Sequence, residues 1–273
     1  MNYKLLSALF PFLIHAAAAC ASCGEITIRQ NSPGRTNNEL VRLWEGNGLY
    51  RHVSIKTLTP VYEKNDFTHE FSLTLVQPRG TEWTDTEIAG QILAAAKAYG
   101  QCDIRIKSAV VVSADVPIGL LELRNVIPAG FTIGDDKTEV ELASAIPDNW
   151  PKPVVFFLNG HEKAWAYTDE AMKALGAISA SNGLEFVEPA AFVSLENTAF
   201  ISSSFGKASN ALPHELGHIF DYEYKAGASS DIIHSHDDFD NLMNFDPDHV
   251  NGHVASYMCD IFRASPLLRQ VVR

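Results

Sequence analysis

Basic residues are scarce in this 273-residue chain: 21 Lys and Arg stand against 33 Asp and Glu, for a formal net charge of -12. That balance excludes nucleic acid and anionic membrane surfaces as natural partners, because both select basic patches. Long hydrophobic runs are missing too. The apolar stretch 5–14 is about half of the ~20 residues that a membrane span needs, and no later segment is longer, so no transmembrane segment is expected. Internal repeats and low-complexity runs are absent, which removes solenoids and disordered linkers from consideration. Only four cysteines are present, too few for a disulfide framework to replace a core. With 46% hydrophobic and 20% charged residues, the composition supports an ordinary packed interior.

The N-terminus reads as an export signal. Lys4 is the only charge in the first 20 residues, and the apolar stretch is followed by His15 and the small-residue run Ala16 to Ala19. Residues 1–19 are therefore expected to be removed, which places the mature protein outside the cell or in the periplasm. Cleavage after Ala19 would leave Cys20 at the new N-terminus, where a lipid anchor would make an outer-membrane lipoprotein. Ala17 stands where the usual Leu of such a site belongs, and cleavage after Ala21 would remove Cys20 altogether. Export implies an oxidising compartment. Cys20 and Cys23 form a CxxC beside the cleavage site, and the remaining pair, Cys102 and Cys259, is expected to be bonded, contributing ~3–5 kcal/mol on the chain-entropy model.

Residues 20–67 read as a β-rich N-terminal extension, with strand-like pieces at 25–28 and 53–56. From 68 to 273 the pattern is that of one larger domain. Residues 69–76 alternate as a strand does. Residues 84–99 carry Ile88, Ile92, Leu93, Ala96 and Tyr99 at helical spacing, with Thr84 or Asp85 as cap. Residues 103–112 predict a strand, 154–158 a wholly apolar central strand, 164–167 an edge strand and 198–203 a further strand. Helices are expected over 210–226 and 254–263, separated by an Asp-rich stretch at 231–248. The class is α+β: a mixed, twisted sheet carrying an active-site helix and a second long helix.

The chemistry lies in His214-Glu215-Leu216-Gly217-His218. Two histidines at i and i+4 lie one turn apart on the same face of a helix, so both imidazoles can reach one metal ion at ~2.0–2.1 Å. Glu215, beside the first ligand, is placed to act on a water as general base and then acid. This is the HExxH pattern of zinc hydrolases. Gly217 within it allows another element to approach the helix closely.

The run from His214 to Phe220 resembles the active-site helix of the metzincin metallopeptidases, and Asn241-Leu242-Met243-Asn244 resembles the methionine turn of that clan. The resemblance covers residues 68–260. It implies a catalytic domain that binds one Zn2+, with His214, His218 and a third histidine as ligands, Glu215 as catalytic base, and Met243 as a structural turn beneath the metal. It also implies an extended peptide or protein substrate laid along the edge strand near 162–168. The chain departs from the clan's HExxHxxGxxH pattern. Asp221 stands at the Gly position and Tyr224 at the third-His position. After a helix ending near Ala226, His234 or His236 can return to the metal, and Asp231 is a third candidate. These remain alternatives. Tyr224 and Tyr257 are candidate oxyanion donors, although packing roles suit both.

The sequence thus predicts an exported, monomeric zinc endopeptidase. Two rivals stand beside it. One is a zinc-binding surface or adhesion protein of peptidase descent with impaired catalysis; the other is an amidase acting on cell-wall peptide bonds.

Overall fold

The computed structural model describes residues 25–31, 37–122, 137–148, 150–160, 164–167, 195–203, 210–220, 241–243 and 252–272. Their elements run β1 (Ile26–Asn31), α1 (Asn37–Glu45), β2 (Arg51–Tyr62), β3 (His69–Pro78), α2 (Asp85–Gly100) and β4 (Ile104–Asp115). A short 3-10 turn (Ile118–Leu120), α3 (Lys137–Ser144), β5 (Val154–Leu158), β6 (Ala164–Tyr167) and β7 (Thr198–Ser202) follow. The chain then forms α4 (Ala211–Phe220), α5 (Ser256–Arg263) and β8 (Arg269–Gln270).

The strands form one mixed sheet in the order β1-β2-β4-β3-β5-β7-β6, with β8 pairing to β3. The inner strands β4, β3, β5 and β7 are parallel to one another. Antiparallel strands flank them: β2 and β1 on one side, β6 on the other. The class is therefore mixed α/β, with five helices among the described residues. β1 and β2, from the stretch read as an extension, take two positions in this same sheet.

Burial explains the central strands. β5 reads Val-Val-Phe-Phe-Leu because both of its faces are covered: Val155 and Phe157 point into one core, and Val154, Phe156 and Leu158 into the other. β7 repeats this with Ala199 and Ile201 against Phe200. In β4 the alternation changes phase. Ile104 and Ile106 share a core with Ala109 and Val111, because the register against β3 slips by one residue at Lys107. That bulge returns the later apolar residues to the face that the earlier ones occupy.

The near face of the sheet carries α2, α4 and α5; the far face carries α1 and α3. α2 starts on a capping box: Glu87 N–H donates to Thr84 Oγ1, and Thr84 N–H donates to Glu87 Oε2 at 2.7 Å. Its face bearing Ile88, Ile92, Ala95, Ala96 and Tyr99 is fully buried, as the spacing predicts. Two helices escape the sequence patterns, α1 and α3. α1 is polar apart from Leu40, Val41, Leu43 and Trp44; Trp44 is fully buried, so one aromatic residue anchors the helix. No described helix is long and apolar enough to cross a membrane.

Candidate active site

Helix α4 carries His214, Glu215 and His218. Pro213 is its third residue, within the first turn, where a backbone N–H would have no helical partner. A buried donor of that turn is satisfied from α2: Leu212 N–H donates to Gln91 Oε1 at 3.0 Å, and Gln91 is itself buried. Tyr99, eight residues further along α2, donates its hydroxyl to Pro213 O at 2.7 Å. The ladder of α4 then starts with His214 N–H to Asn210 O at 3.1 Å.

The imidazoles of His214 and His218 converge. Their Nε2 atoms are 3.1 Å apart, and the ring planes cross at 80°. His214 is 4% exposed, and its Nδ1 lies 2.8 Å from Leu242 O. A carbonyl only accepts, so Nδ1 carries the proton and Nε2 presents a lone pair. Two nitrogens at ~2.0–2.1 Å from one tetrahedral zinc lie roughly 3.3 Å apart, so the observed separation suits a shared ion.

Glu215 is 2% exposed, and its Oε2 has no hydrogen-bond partner among the described residues. Burial pushes its carboxyl pKa up to about 8. A buried, unpartnered carboxylate is costly unless a cation lies near. The convergent imidazoles and this orphaned oxygen together fit a divalent metal.

A turn at 241–243 packs directly under the helix. Met243 is fully buried, and a Cβ built on Gly217 would lie 2.3 Å from its Sδ and 3.4 Å from Phe262 Cζ. Only glycine admits this approach. The turn closes locally when Met243 N–H donates to Asn241 Oδ1 at 3.1 Å. It is fixed externally when Leu242 N–H donates to His253 O at 2.6 Å, beside a parallel bridge between Asn241 and His253. Below it, α5 is bonded to the end of α2 through Cys102–Cys259, a crosslink spanning 157 residues.

The structure thus brings together His214, Glu215, Gly217, His218 and Met243 of the residues singled out in the sequence. His234, His236 and the alternative ligand Asp231 lie outside the described residues, as do Asp221, Tyr224, Asn244, Cys20, Cys23 and the expected signal segment. Among the described residues, no group of three His, Cys, Asp or Glu side chains gathers around one point. Tyr257 is 57% exposed. His253 acts through its backbone carbonyl. Gln91, Tyr99 and Gln101 are supports that the sequence did not reveal. Their partners lie more than a hundred residues away, so no local pattern marks them.

No known family model matches the chain, and no curated protein matches it. Among solved structures it is similar to metalloproteinase-II from Bacteroides fragilis. The TM-score is 0.46 at 12% identity, over 87% of this chain and 72% of that one.

Proposed function

We propose that the chain is an exported, zinc-dependent endopeptidase of the metzincin type. The observation that carries this reading is the 3.1 Å approach of His214 Nε2 to His218 Nε2 on the helix that also carries the buried Glu215, whose Oε2 has no hydrogen-bond partner among the described residues. His214 and His218 hold the metal, and His234 or His236 completes its ligand set. Zinc bound there supplies Lewis-acid polarisation of the scissile carbonyl and makes water more acidic. Glu215 takes the proton of the attacking water and returns it to the leaving amine. Leu242 O holds the His214 ring in the tautomer whose Nε2 faces the metal. Met243 fills the space under Gly217, so the helix cannot settle closer to α5. The substrate is a peptide or protein segment, added antiparallel to the edge strand β6.

Residues 68–273 form the catalytic unit, and 20–67 are an extension that adds β1 and β2 to its sheet. The mature protein is a monomer outside the cell or in the periplasm, with Cys20 as a position for a lipid anchor.

Cleavage of a quenched-peptide library, with zinc content measured in parallel, tests the reading. The wild type should bind one zinc and lose cleavage on chelation. Glu215→Gln should keep its zinc and lose about 10²–10⁴-fold in kcat/KM. Zinc retained by a wild type that cleaves nothing would favour the surface-protein rival. Digestion of cell-wall peptide alone would favour the amidase.

A further inference from the structure

His214 is oriented by a carbonyl, so whatever fixes Leu242 O fixes the ligand. Leu242 N–H donates to His253 O at 2.6 Å, and Asn241 bridges to His253 in the same short pairing. The turn is therefore registered against residues 252–254. Those residues are gripped from the other side by a single amide. Gln101 Nε2 donates to Gly252 O at 2.7 Å, and Val254 N–H donates to Gln101 Oε1 at 3.3 Å. Contacts at both ends of one planar group fix the segment along its length as well as across it.

The amide has a rigid base. Gln101 is the C-cap of α2, where its own N–H donates to the carbonyls of Ala98 and Tyr99. Cys102, the next residue, is bonded to Cys259, and its carbonyl accepts from Arg263 Nε at 2.9 Å. The same helix holds the start of α4 through Gln91 and Tyr99. α2 is thus the common reference for two things that must agree: the backbone that carries His214, and the carbonyl that accepts from its Nδ1. Gly252 also abuts Asn210, whose carbonyl opens the α4 ladder; a Cβ at Gly252 would meet Asn210 Oδ1 at 3.5 Å.

We propose that Gln101 is a positioning residue for the metal site, acting through residues 252–254 and the turn at 241–243 on the His214 imidazole. This rests on the zinc reading above. Gln101 touches neither metal nor substrate. It sets where Leu242 O sits, and so which way the Nε2 lone pair of His214 points. Outer partners of metal ligands shift affinity by about 10- to 100-fold, and one acting through two further links falls at the low end.

The full chain tests this with Gln101→Met, which keeps the side-chain length and loses both hydrogen bonds. Val53→Ala, in the far-face core, serves as a control for general destabilisation. Zinc affinity is measured by competition with a chromophoric chelator, and ligand geometry by the visible spectrum of the Co2+-loaded protein. In the metal-free protein, the Nδ1–H signal of His214 is followed in 15N-histidine samples. Q101M should weaken zinc binding about tenfold, change the Co2+ spectrum and speed exchange of the His214 Nδ1–H. V53A should lower the urea midpoint and move none of these. Wild-type zinc affinity and an unchanged Co2+ spectrum in Q101M would overturn the proposal. Should Q101M not fold, Gln101→Glu, which keeps the acceptor for Val254 N–H, carries the same measurements. A wild type that takes up no zinc would sink the peptidase reading instead. The metal-free His214 signal then decides for Gln101, and an unchanged signal in the variant overturns it.

Discussion

On the far face of the sheet, Trp44 meets Tyr50 and Trp150 edge-on at 4.9 and 5.1 Å between ring centroids. On the near face, Phe220 meets Phe71 and Tyr99 in the same manner at 4.9 and 5.3 Å. Both layers use aromatic edges to fill volume. They differ in what crosses between elements. The near face adds directed bonds: Gln91 and Tyr99 to the start of α4, Gln101 to 252–254, and the Cys102–Cys259 crosslink. Among the described residues the far face has fewer and no crosslink: Tyr50 to Leu142 O, Trp150 to Thr74 Oγ1, Asn47 to Ala145 O and Val53 N–H to Glu45 Oε1. Aromatic packing gains stability yet tolerates small sliding. Hydrogen bonds of fixed length and direction do not. The far face therefore holds the fold, and the near face holds a geometry.

Three substitutions test that division. The largest effect is expected from Trp150→Ala, which empties a buried site between α1 and the sheet and removes a hydrogen bond. It should cost about 3–5 kcal/mol in urea unfolding, while the folded fraction binds zinc as the wild type does. Weakened zinc binding there would break the comparison. Gly217→Ala comes next. Its new methyl must displace Met243, for about 1–3 kcal/mol. On the near face the loss of stability should come with loss of zinc affinity, read by chelator competition. A variant that lost only stability would show that the turn does not govern the site.

The smallest effect concerns Lys152, a largely buried cation whose Nζ donates to Thr198 Oγ1 at 3.1 Å. Burial pulls its pKa from 10.5 down to about 8. Between those values the unfolded chain binds more protons than the folded one, so stability should rise with pH from 8 to 10.5 and stay flat below 8. Lys152→Met should remove that rise. At pH 7 it should stabilise the fold by roughly 1 kcal/mol, a figure discounted for the part of the side chain that water reaches. Urea titrations at pH 7 and pH 9.5 check both points. A variant no more stable than wild type at pH 7 would show that the buried charge is already compensated.

The sequence made these two faces legible to unequal degrees. α2 and β5 followed from local pattern, because burial on one helical stripe, or on both faces of a strand, leaves a regular mark on residue type. The site helix followed from the spacing of His214 and His218, which is enforced by the pitch of the helix. β4 was less readable. Ala109 and Val111 join Ile104 and Ile106 on one face only because Lys107 is an extra residue in the pairing, and a bulge has no fixed signature. α1 was missed because its one deep anchor, Trp44, is explained by Tyr50 and Trp150, not by its own neighbours. The hydrogen bonds of Gln91, Tyr99 and Gln101 join residues 114 to 153 positions apart. Such contacts exist only once the chain is folded. The candidates for a third ligand, His234 and His236, fall in a stretch outside the described residues, and Asp221 and Tyr224 depart from the spacing that would have chosen between them.

The crosslink between Cys102 and Cys259 also has a topological consequence. It makes residues 102–259 a covalent ring, and His214, Glu215, His218, Met243 and both remaining histidine candidates lie inside it. One backbone cut anywhere within that ring opens it without releasing a fragment. The nicked molecule would stay in one piece until a reductant parted the two sulfurs, and the helix carrying His214 and His218 would stay tethered to the strands that support it.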